Sequence, residues 1–297
     1  MSTDHLIRTA AFNWLNQQID RYGDVLSRDL LRKGFEFKGV RIPLASPQGI
    51  FKPKEMDLPL TITTSPKGPY EDSFNYKDQL LYKYRGTDPY HRDNVGLRKV
   101  MKRELPLIYF HGIIPGRYMA VFPVYIIEDK PQNLSFTVVA DEKVISTETD
   151  SEYIGVKDEG RRSYITKQVK KRVHQRGFRE RVLAAYRSQC AFCNLKHSEL
   201  LDAAHIVPDG EPDGTPNVNN GLALCKIHHS AFDKYIIGVT PDFEIKIRTD
   251  ILHEIDGPML TYGFQKLHDQ KLILPKSKKA WPDREKLDWR HQKFLQA

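Results

Sequence analysis

Four residues with metal-ligand spacing lie in one short region of the chain. Cys190 and Cys193 form one pair separated by two residues, and Cys225 and His228 form another. Zinc prefers four soft or borderline ligands in a tetrahedron, and two short turns that each offer a pair supply that arrangement. A chance pair of cysteines in a hydrophobic core is the simpler alternative, but it does not account for two matched pairs. The spacing predicts a structural zinc site.

The segment between the two pairs carries further groups that could do chemistry. It covers residues 194–224, which is 31 residues and longer than the usual zinc-ribbon spacing. It contains His205 in a strand-like Ala-Ala-His-Ile-Val-Pro run, then a turn-rich loop from Asp209 to Asn219, then Asn220. Hydrolysis of a phosphodiester needs an activated water, a cation that takes up charge, and a rigid frame. A lone histidine is more often structural, but a neutral histidine held on a hairpin can be the base of such a reaction.

The order of these residues resembles the HNH endonuclease family, in the cysteine-containing branch found among restriction enzymes. The likeness runs from about Phe178 to Val239, with a lead-in helix before the first cysteine pair. It implies that His205 is the general base and that Asn220 braces the hairpin loop. It implies that His229 is a ligand of a catalytic divalent cation, either Mg²⁺ or Mn²⁺. The two metal-ligand pairs then correspond to the ligands of a structural Zn²⁺.

The chain departs from the family pattern at two positions. Histidine stands at position 228, where the family usually has cysteine, and histidine still binds zinc. Ala204 stands where many members have an acid or a histidine that binds the catalytic cation. Asp202, three residues before the base, and Asp233, one helical turn after the last histidine, are the nearest substitutes as ligands. The alternatives are hydrogen bonding within the hairpin for Asp202 and a helix cap for Asp233.

The balance of charge favours a polyanionic partner. Lys plus Arg number 46 and Asp plus Glu 38, which gives a formal net charge of +8 and a pI of about 9.2. From 161 to 187, one acid, Glu180, stands among basic residues. These are Arg161, Arg162, Lys167, Lys170, Lys171, Arg172, Arg176, Arg179, Arg181 and Arg187. A solvated helix face is the simpler interpretation, but so one-sided a face favours contact with DNA phosphates, notably through Lys171, Arg172 and Arg176.

Length and composition indicate a folded protein with two domains. The chain has 297 residues, of which 40% are hydrophobic and 10% are aromatic. No apolar run approaches the roughly 20 residues that cross a bilayer, and the first residues show no signal-peptide pattern. Three cysteines in one region are too few for a disulfide framework and suit metal binding in a reducing compartment. We therefore expect a cytoplasmic protein.

The amino-terminal half has the pattern of a mostly-β domain with flanking helices. Helical spacing predicts helices over 6–22 and 25–32. Alternating runs between turn residues predict strands over 35–42, 58–64, 79–85, 117–127 and 135–140. Such a series favours a small barrel or a curved sheet, which resembles in outline the PUA-like readers of modified bases, of the SRA and EVE kind. The predicted fold class is α+β, with a zinc-stapled ββα-metal domain in the second half.

The expected organisation has three parts. Residues 1–150 form the DNA-reading domain, 151–175 a basic linker helix, and 176–297 the HNH domain with a carboxy-terminal extension. The boundary is placed in a polar, acid-rich stretch, 143–160. The basic helix is predicted over 163–187 with a break near Gly177. Beyond the metal motif, the pattern predicts strands over 236–239 and 243–247 and a charged helix over 281–294.

The densest polar and aromatic segment of the first half runs from residue 82 to residue 94. Readers of the kind named above flip a base into a pocket and stack it on aromatic rings. The candidate contacts to a base or a phosphate are Tyr82, Tyr84, Arg85, Asp88, His91, Arg92 and Asn94. A second candidate run covers 109–112, with Arg117 and Tyr118 close behind. For any single ring, a place in the sheet core is an equally good interpretation, because alternation buries every second residue.

Three functions fit these features. The first is a modification-dependent restriction endonuclease whose amino-terminal reader finds a modified base and whose HNH half cuts the DNA. The second keeps the nuclease but makes the reader sequence-specific. The third is a zinc-stapled DNA-binding module without catalysis, with Ala204 marking lost activity, although a purely structural finger would need neither His205 nor His229. Cutting both strands of double-stranded DNA needs two active sites, so a homodimer is expected.

Overall fold

The computed structural model describes residues 2–66, 73–74, 79–140 and 159–297. The acid-rich stretch expected to hold the domain boundary, 143–160, lies outside these residues except for its last two. The chain divides into two compact units, Met1–Arg176 and Gly177–Ala297, and both mix helices with strands. Within the described ranges, no helix has the length and apolar character needed to cross a membrane.

Among its described residues, the first unit holds three α-helices and ten strands, followed by the start of a long helix that continues into the second unit. The helices are α1 (Thr3–Tyr22), α2 (Arg28–Lys33), α3 (Arg92–Lys102) and α4 (Glu159–Ala185). The strands are β1 (Val25–Ser27), β2 (Phe35–Phe37), β3 (Val40–Ile42), β4 (Ile50–Phe51), β5 (Thr61–Thr64), β6 (Ser73–Phe74), β7 (Leu80–Lys83), β8 (Leu107–Ile114), β9 (Arg117–Lys130) and β10 (Ser135–Ala140).

One eight-stranded sheet organises this unit. Its strand order is β4-β5-β8-β9-β10-β7-β6, with β1 paired to β9, and β5 and β8 form its parallel pair. The register of β9 shifts against both β8 and β10, and such irregularities bend strands and increase their twist. The prediction of a curved sheet with flanking helices is confirmed in this coarse form.

Both faces of the sheet are covered. Along β8, Ile108 and Phe110 pack into a core shared with α1, whereas Leu107 and Tyr109 pack into a second core shared with α3. A strand buried on both sides reads as a continuous apolar run and not as an alternating one. That is why the sequence pattern did not reveal β8, which lies at the centre of the sheet.

Three local predictions were wrong. The segment from residue 25 to residue 32 is a strand followed by a helix, because Ser27 ends β1 and caps α2. Residues 92–94, in a segment for which the sequence predicted no helix, begin α3, whose first turn His91 caps. The basic helix α4 runs without a break through Gly177, since a single glycine inside a helix costs only about 1 kcal/mol relative to alanine.

The second unit packs short elements around one core. After the end of α4 these are β11 (Leu201–His205), β12 (Gly221–Cys225), α5 (Lys226–Asp233), β13 (Ile237–Val239), β14 (Ile245–Ile247), α6 (Thr249–His253), α7 (Pro258–Gly263) and α8 (Arg284–Leu295). β11 pairs with β12 and β13 with β14, both antiparallel. The predicted strands β13 and β14 and the predicted terminal helix are confirmed within a few residues at each end.

Candidate active site and metal centre

A two-stranded hairpin followed at once by a helix carries the histidines and the asparagine singled out by the sequence. In the β11–β12 hairpin, Leu201 lies opposite Cys225 and His205 lies opposite Gly221. α5 begins at the residue after Cys225, so it turns back beside the hairpin. The order β11–β12–α5 is the ββα arrangement that the sequence predicted.

Gly221 is required by the helix that packs against the hairpin. A β-carbon at this position would lie 2.5 Å from Val182 Cγ2 and 2.8 Å from the ring of Phe178, both on α4. The same Phe178 ring stacks on the imidazole of His205, with 4.0 Å between ring centroids and 16° between their planes. The helix therefore fixes the plane of the histidine ring.

His205 has the environment of a neutral imidazole. Its side chain is half-buried, and burial lowers its pKa from the ordinary value of 6.5. Its Nε2 atom is buried without a hydrogen-bond partner among the described residues. The charges of Asp209, His229, Asp233 and Asp202 also act on this pKa, so His205 lies within electrostatic range of the other polar groups of the site. An uncharged imidazole can accept a proton.

His229 lies between two carboxylates. Its Nδ1 atom is 3.6 Å from Asp202 Oδ2, and its Nε2 atom is 3.4 Å from Asp233 Oδ2. The contact with Asp202 raises the pKa of His229. Burial alone would raise the pKa of Asp202, but the contact with His229 and the N–H of Ala203 outweigh it and lower that pKa. Both carboxylates are about half exposed, 46% for Asp202 and 56% for Asp233, so an ion from solvent can reach them.

Each of the two acids also lies near an arginine. Arg179 Nε is 3.4 Å from Asp202 Oδ1, and the same side chain donates to the carbonyl of Leu201 at 2.8 Å. Arg290, on α8, places Nη2 3.7 Å from Asp233 Oδ1. Each acid thus turns one oxygen toward an arginine and the other toward His229.

Asn220 holds the loop that joins the two strands. It is fully buried, its Oδ1 accepts from the Val207 N–H at 2.9 Å, and its Nδ2 donates at 3.0 Å to the carbonyls of Val207 and Thr215. Buried polar atoms left without such bonds cost about 1–3 kcal/mol each. The amide therefore closes the two ends of the loop onto each other directly after His205.

The two metal-ligand pairs meet in one cluster. One ligand atom from each of Cys190, Cys193, Cys225 and His228 lies within 4.8 Å of the others. His228 Nδ1 is 3.5 Å from Cys190 Sγ and 3.2 Å from Cys225 Sγ, close to the ligand separations of about 3.8 Å in a tetrahedron with metal–sulfur bonds of about 2.3 Å. This set could hold a metal such as zinc.

The histidine of this cluster is oriented from its other side. His228 Nε2 lies 2.7 Å from the carbonyl oxygen of Gly263, at the end of α7. A proton on Nε2 donated to that carbonyl leaves Nδ1 as an acceptor directed at the cysteines, which is how metal-binding histidines are commonly held. The position of Gly263, 35 residues along the chain, gave no sequence signal for this contact.

Among the predicted reader residues, three line a common cavity in the first unit. Tyr82, Tyr84 and Arg85 lie on the wall of a cavity of about 500 Å³. Tyr118, named with the second candidate run, also lines it, and its other walls include residues that the sequence did not single out: Arg28, Ser46, Gln48, Thr63 and Lys83. Loop residues and strand ends from distant parts of the chain thus form one concave surface.

The other predicted reader residues serve the start of α3. Asp88 accepts from the Tyr90 N–H at 2.8 Å, and His91 accepts from the Asp93 N–H at 3.2 Å, while Arg92 is exposed. The assignment of Asn94 to a base edge was wrong, because its buried side chain already bonds the backbone of Arg85 and Asp88. In the second candidate run, Tyr109 and Phe110 are core residues of β8.

Three predicted phosphate contacts lie on α4. The side chains of Lys171, Arg172 and Arg176 are exposed, and Arg176 also forms an ion pair with Asp24 at 2.9 Å. The side chains of 161, 162, 167 and 170 lie outside the described part of the structure. Lys171 and Arg172 are therefore the exposed cations that α4 offers in this stretch.

Comparison with known proteins finds a family match for one segment of the second unit. Residues 190–240 match the family model described as HNH endonuclease. That segment contains the metal cluster, the hairpin and α5, and the predicted enzyme class, an HNH DNA endonuclease, is confirmed by the match.

Two wider comparisons add less. No curated protein matches the chain. A solved structure titled "Modification dependent TagI restriction endonuclease" aligns with 93% of this chain and 89% of its own, with 18% sequence identity and a TM-score of 0.33. A TM-score that low is too weak to support an argument about fold or function.

The first testable prediction concerns the metal cluster. Replacing Cys190 with alanine removes one of four ligands, and we expect the bound metal to be lost and Gly177–Ala297 to unfold at lower temperature, because metal binding energy is folding energy in such sites. The measurement is metal content by mass spectrometry together with thermal unfolding, with and without a chelator. Ser188→Ala, two residues earlier and outside the cluster, is the matched control. Equal thermal stability of the Cys190 variant and the parent would show that the cluster holds no metal.

Proposed function

We propose that this protein is a divalent-cation-dependent DNA endonuclease in which His205 is the general base. The proposal rests above all on the uncharged environment of His205 beside His229 and its two carboxylates, on a hairpin that matches the HNH family. His205 would take a proton from a water molecule as the water oxygen attacks phosphorus. The bond from phosphorus to the 3′ oxygen then breaks, which leaves a 5′ phosphate. The histidine ring does not have to move, because Phe178 and the Asn220-braced loop hold it.

The catalytic cation is proposed to be Mg²⁺ or Mn²⁺, held by His229, Asp233 and Asp202. His229 Nε2 and Asp233 Oδ2 lie 3.4 Å apart, close enough for one ion to bind both. When bound, the ion would stabilise negative charge on the phosphate and on the leaving oxygen. Asp202 Oδ2 faces Nδ1, on the other side of the His229 ring, so the Asp202 carboxylate would have to turn to reach the same ion.

The Cys190, Cys193, Cys225 and His228 cluster is proposed to hold a structural Zn²⁺. Four protein ligands fill a tetrahedron and leave no open position for a substrate. This cluster is therefore assigned to stability and His229, the next residue along α5, to catalysis. Two adjacent histidines on one helix would thus serve two different metal ions.

DNA binding is proposed to involve the exposed cations of α4. Lys171 and Arg172 carry positive charge into solvent, and the chain as a whole has a formal charge of +8. Contacts of this kind to phosphates supply affinity without sequence preference and weaken with added salt. These contacts cannot choose a DNA target, so another surface of the protein must do so.

We propose that the first unit makes that selection by reading a modified base, in the manner of a PUA-like domain. The observation in favour is the cavity of about 500 Å³, whose lining combines the half-buried Tyr118 with the exposed Arg28 and Gln48. Tyr82 and Tyr84 also line it but are buried in the core of the unit. A flipped base can stack on aromatic rings and donate to or accept from an amide or guanidinium group. A restriction enzyme that reads an unmodified sequence is the alternative.

We further propose that the protein acts in the cytoplasm and cuts both strands of double-stranded DNA as a homodimer.

The second prediction tests the base. His205→Ala should abolish cleavage of plasmid DNA in the presence of Mg²⁺ or Mn²⁺, because it removes the proposed proton acceptor, while metal content and thermal stability stay near those of the parent. Nicking and linearisation of supercoiled plasmid, with a chelator as the blank, measure the effect. His253→Ala, at an exposed position on α6, is the matched control. Cutting by the His205 variant would overturn the base assignment, and a parent protein that cuts under no condition would favour the non-catalytic DNA-binding alternative.

The third prediction concerns pH. A general base acts when it is deprotonated, so the cleavage rate should fall as the pH drops through the pKa of His205. Burial lowers that pKa, so the fall in rate with decreasing pH should begin below the ordinary value of 6.5. Above pH 6.5 the rate should not change with pH. Single-turnover cleavage rates from pH 5 to pH 8 would show the limb. A half-maximal rate at pH 7 or higher would contradict a base held in its neutral form.

The fourth prediction concerns the cavity. Gln48 lies at its exposed mouth, and Gln48→Trp should fill the entrance, so that cleavage loses its preference for modified DNA and unmodified DNA is cut as before. Competition between methylated, hydroxymethylated, phosphorothioated and plain DNA of one sequence measures the preference. Gln17→Trp, on the exposed side of α1, is the control for a bulky surface residue. A parent protein that cuts all four substrates equally well would exclude modification reading and favour sequence recognition.

A further inference from the structure

Helix α8 lies outside the segment that matches the HNH family, yet it contacts that segment at the site. The match ends at residue 240, and α8 covers Arg284–Leu295. Leu287 is fully buried in the core of the unit, and a β-carbon on Gly238 of β13 would lie 2.6 Å from the ring of Phe294. The helix is therefore packed so closely on the domain that its polar side chains are held at fixed positions.

Arg290 connects the two parts of the site. Its Nη2 donates to the carbonyl of Phe232 at 2.7 Å, and its Nη1 reaches the carbonyl of Ile206 at 3.4 Å. Ile206 follows His205 directly, and Phe232 precedes Asp233 directly. Nη2 also lies 3.7 Å from Asp233 Oδ1. One planar guanidinium group thus spans from the end of the base-bearing strand to the end of α5.

The same helix supports the loop between His205 and Asn220. The N–H of Asp283, its capping residue, donates to the carbonyl of Asn219 at 2.9 Å. Lys286 Nζ donates to the carbonyl of Asp213 at 2.5 Å. Helix α8 thus binds this loop from a separate element, whereas Asn220 binds residues of the loop that it ends.

The charge of Arg290 is buried, which by itself is unfavourable. Arg290 is only 3% exposed, its Nε has no hydrogen-bond partner among the described residues, and burial lowers its pKa. The ring centroids of Phe232 and Tyr235 lie 4.2 and 4.6 Å from the guanidinium carbon, so both rings make cation–π contacts that stabilise the cation. The rigid fork of arginine is also suited to fixing the distance between two acceptors, here the carbonyls of Ile206 and Phe232.

We propose that Arg290 is a positioning residue of the nuclease, which sets the separation of His205 from His229 and Asp233 and orients the Asp233 carboxylate. The inference rests on the function proposed above. Misplacement of a catalytic group by about 1 Å can cost on the order of 100-fold in rate. Loss of the guanidinium should therefore slow the chemical step more than it affects folding or DNA binding.

The fifth prediction tests this with two substitutions and a matched control. Arg290→Met keeps an unbranched apolar stem but removes both donors, and Arg290→Lys keeps the charge but cannot reach both carbonyls. Arg284→Met, on the same helix, removes an exposed arginine that contacts Asp242 at 3.2 Å outside the site. The decisive measurement is the single-turnover rate constant with enzyme in excess over DNA. With folded enzyme still in excess and saturating, a purely structural role would leave this rate constant unchanged and would lower only the fraction of active enzyme, which titration with excess DNA measures.

We expect the rate constant to fall at least about tenfold in Arg290→Met and less in Arg290→Lys, with metal content and DNA affinity near those of the parent. The amides of Ile206 and Val207 should exchange faster with deuterium in Arg290→Met than in Arg284→Met. A parental rate constant in Arg290→Met would overturn the proposal. Should that variant not fold, a parental rate constant in Arg290→Lys would overturn it equally. If the parent and Arg284→Met cut no DNA, the proposed nuclease function fails and this inference with it.

Discussion

A two-stranded hairpin buries too little surface to stay folded alone, and the whole site depends on how this one is fastened. β11 and β12 are five residues each. The register places Cys225 at one end of the hairpin and His205 at the other. A metal bound by the Cys₃His cluster would tie the first end, and Asn220 ties the second through three hydrogen bonds. The first of these also joins the hairpin to the start of α5, since α5 begins directly after Cys225.

The site residues that sequence could identify are those whose spacing encodes local geometry. The two residues within each metal-ligand pair are brought together by short-range structure, and so are His229 and the acid one helical turn after it. His229 and Asp233, an i, i+4 pair, lie 3.4 Å apart. Gly263 and Arg290 reach the site through tertiary packing, over separations of 35 residues from His228 and 84 residues from Ile206. Nothing in local sequence marks such contacts, because an arginine on an amphipathic helix usually faces water.

The first unit was predictable in outline and not in detail for a related reason. Turn residues and alternation located most strands, but β8 alternates between two apolar environments and so shows no polar face. Asn94 looked like a surface group because asparagine is polar, yet it is fully buried and satisfies backbone groups of Arg85 and Asp88. Composition shows that a polar side chain needs partners and does not show whether those partners are its own backbone or a ligand.

The charges around His229 suit a site that must first admit a phosphate and then stabilise it. Asp202 and Asp233 would together repel a DNA strand, but Arg179 lies 3.4 Å from the first and Arg290 3.7 Å from the second. Two negative and two positive side chains leave the formal charge of these four groups at zero. A bound divalent cation would then give the site a net positive charge of two. That charge would attract the phosphate. The same balance predicts weak binding of the free ion, since the acids proposed to hold it are already paired with arginines. Ion and phosphate would then bind more strongly together than either does alone.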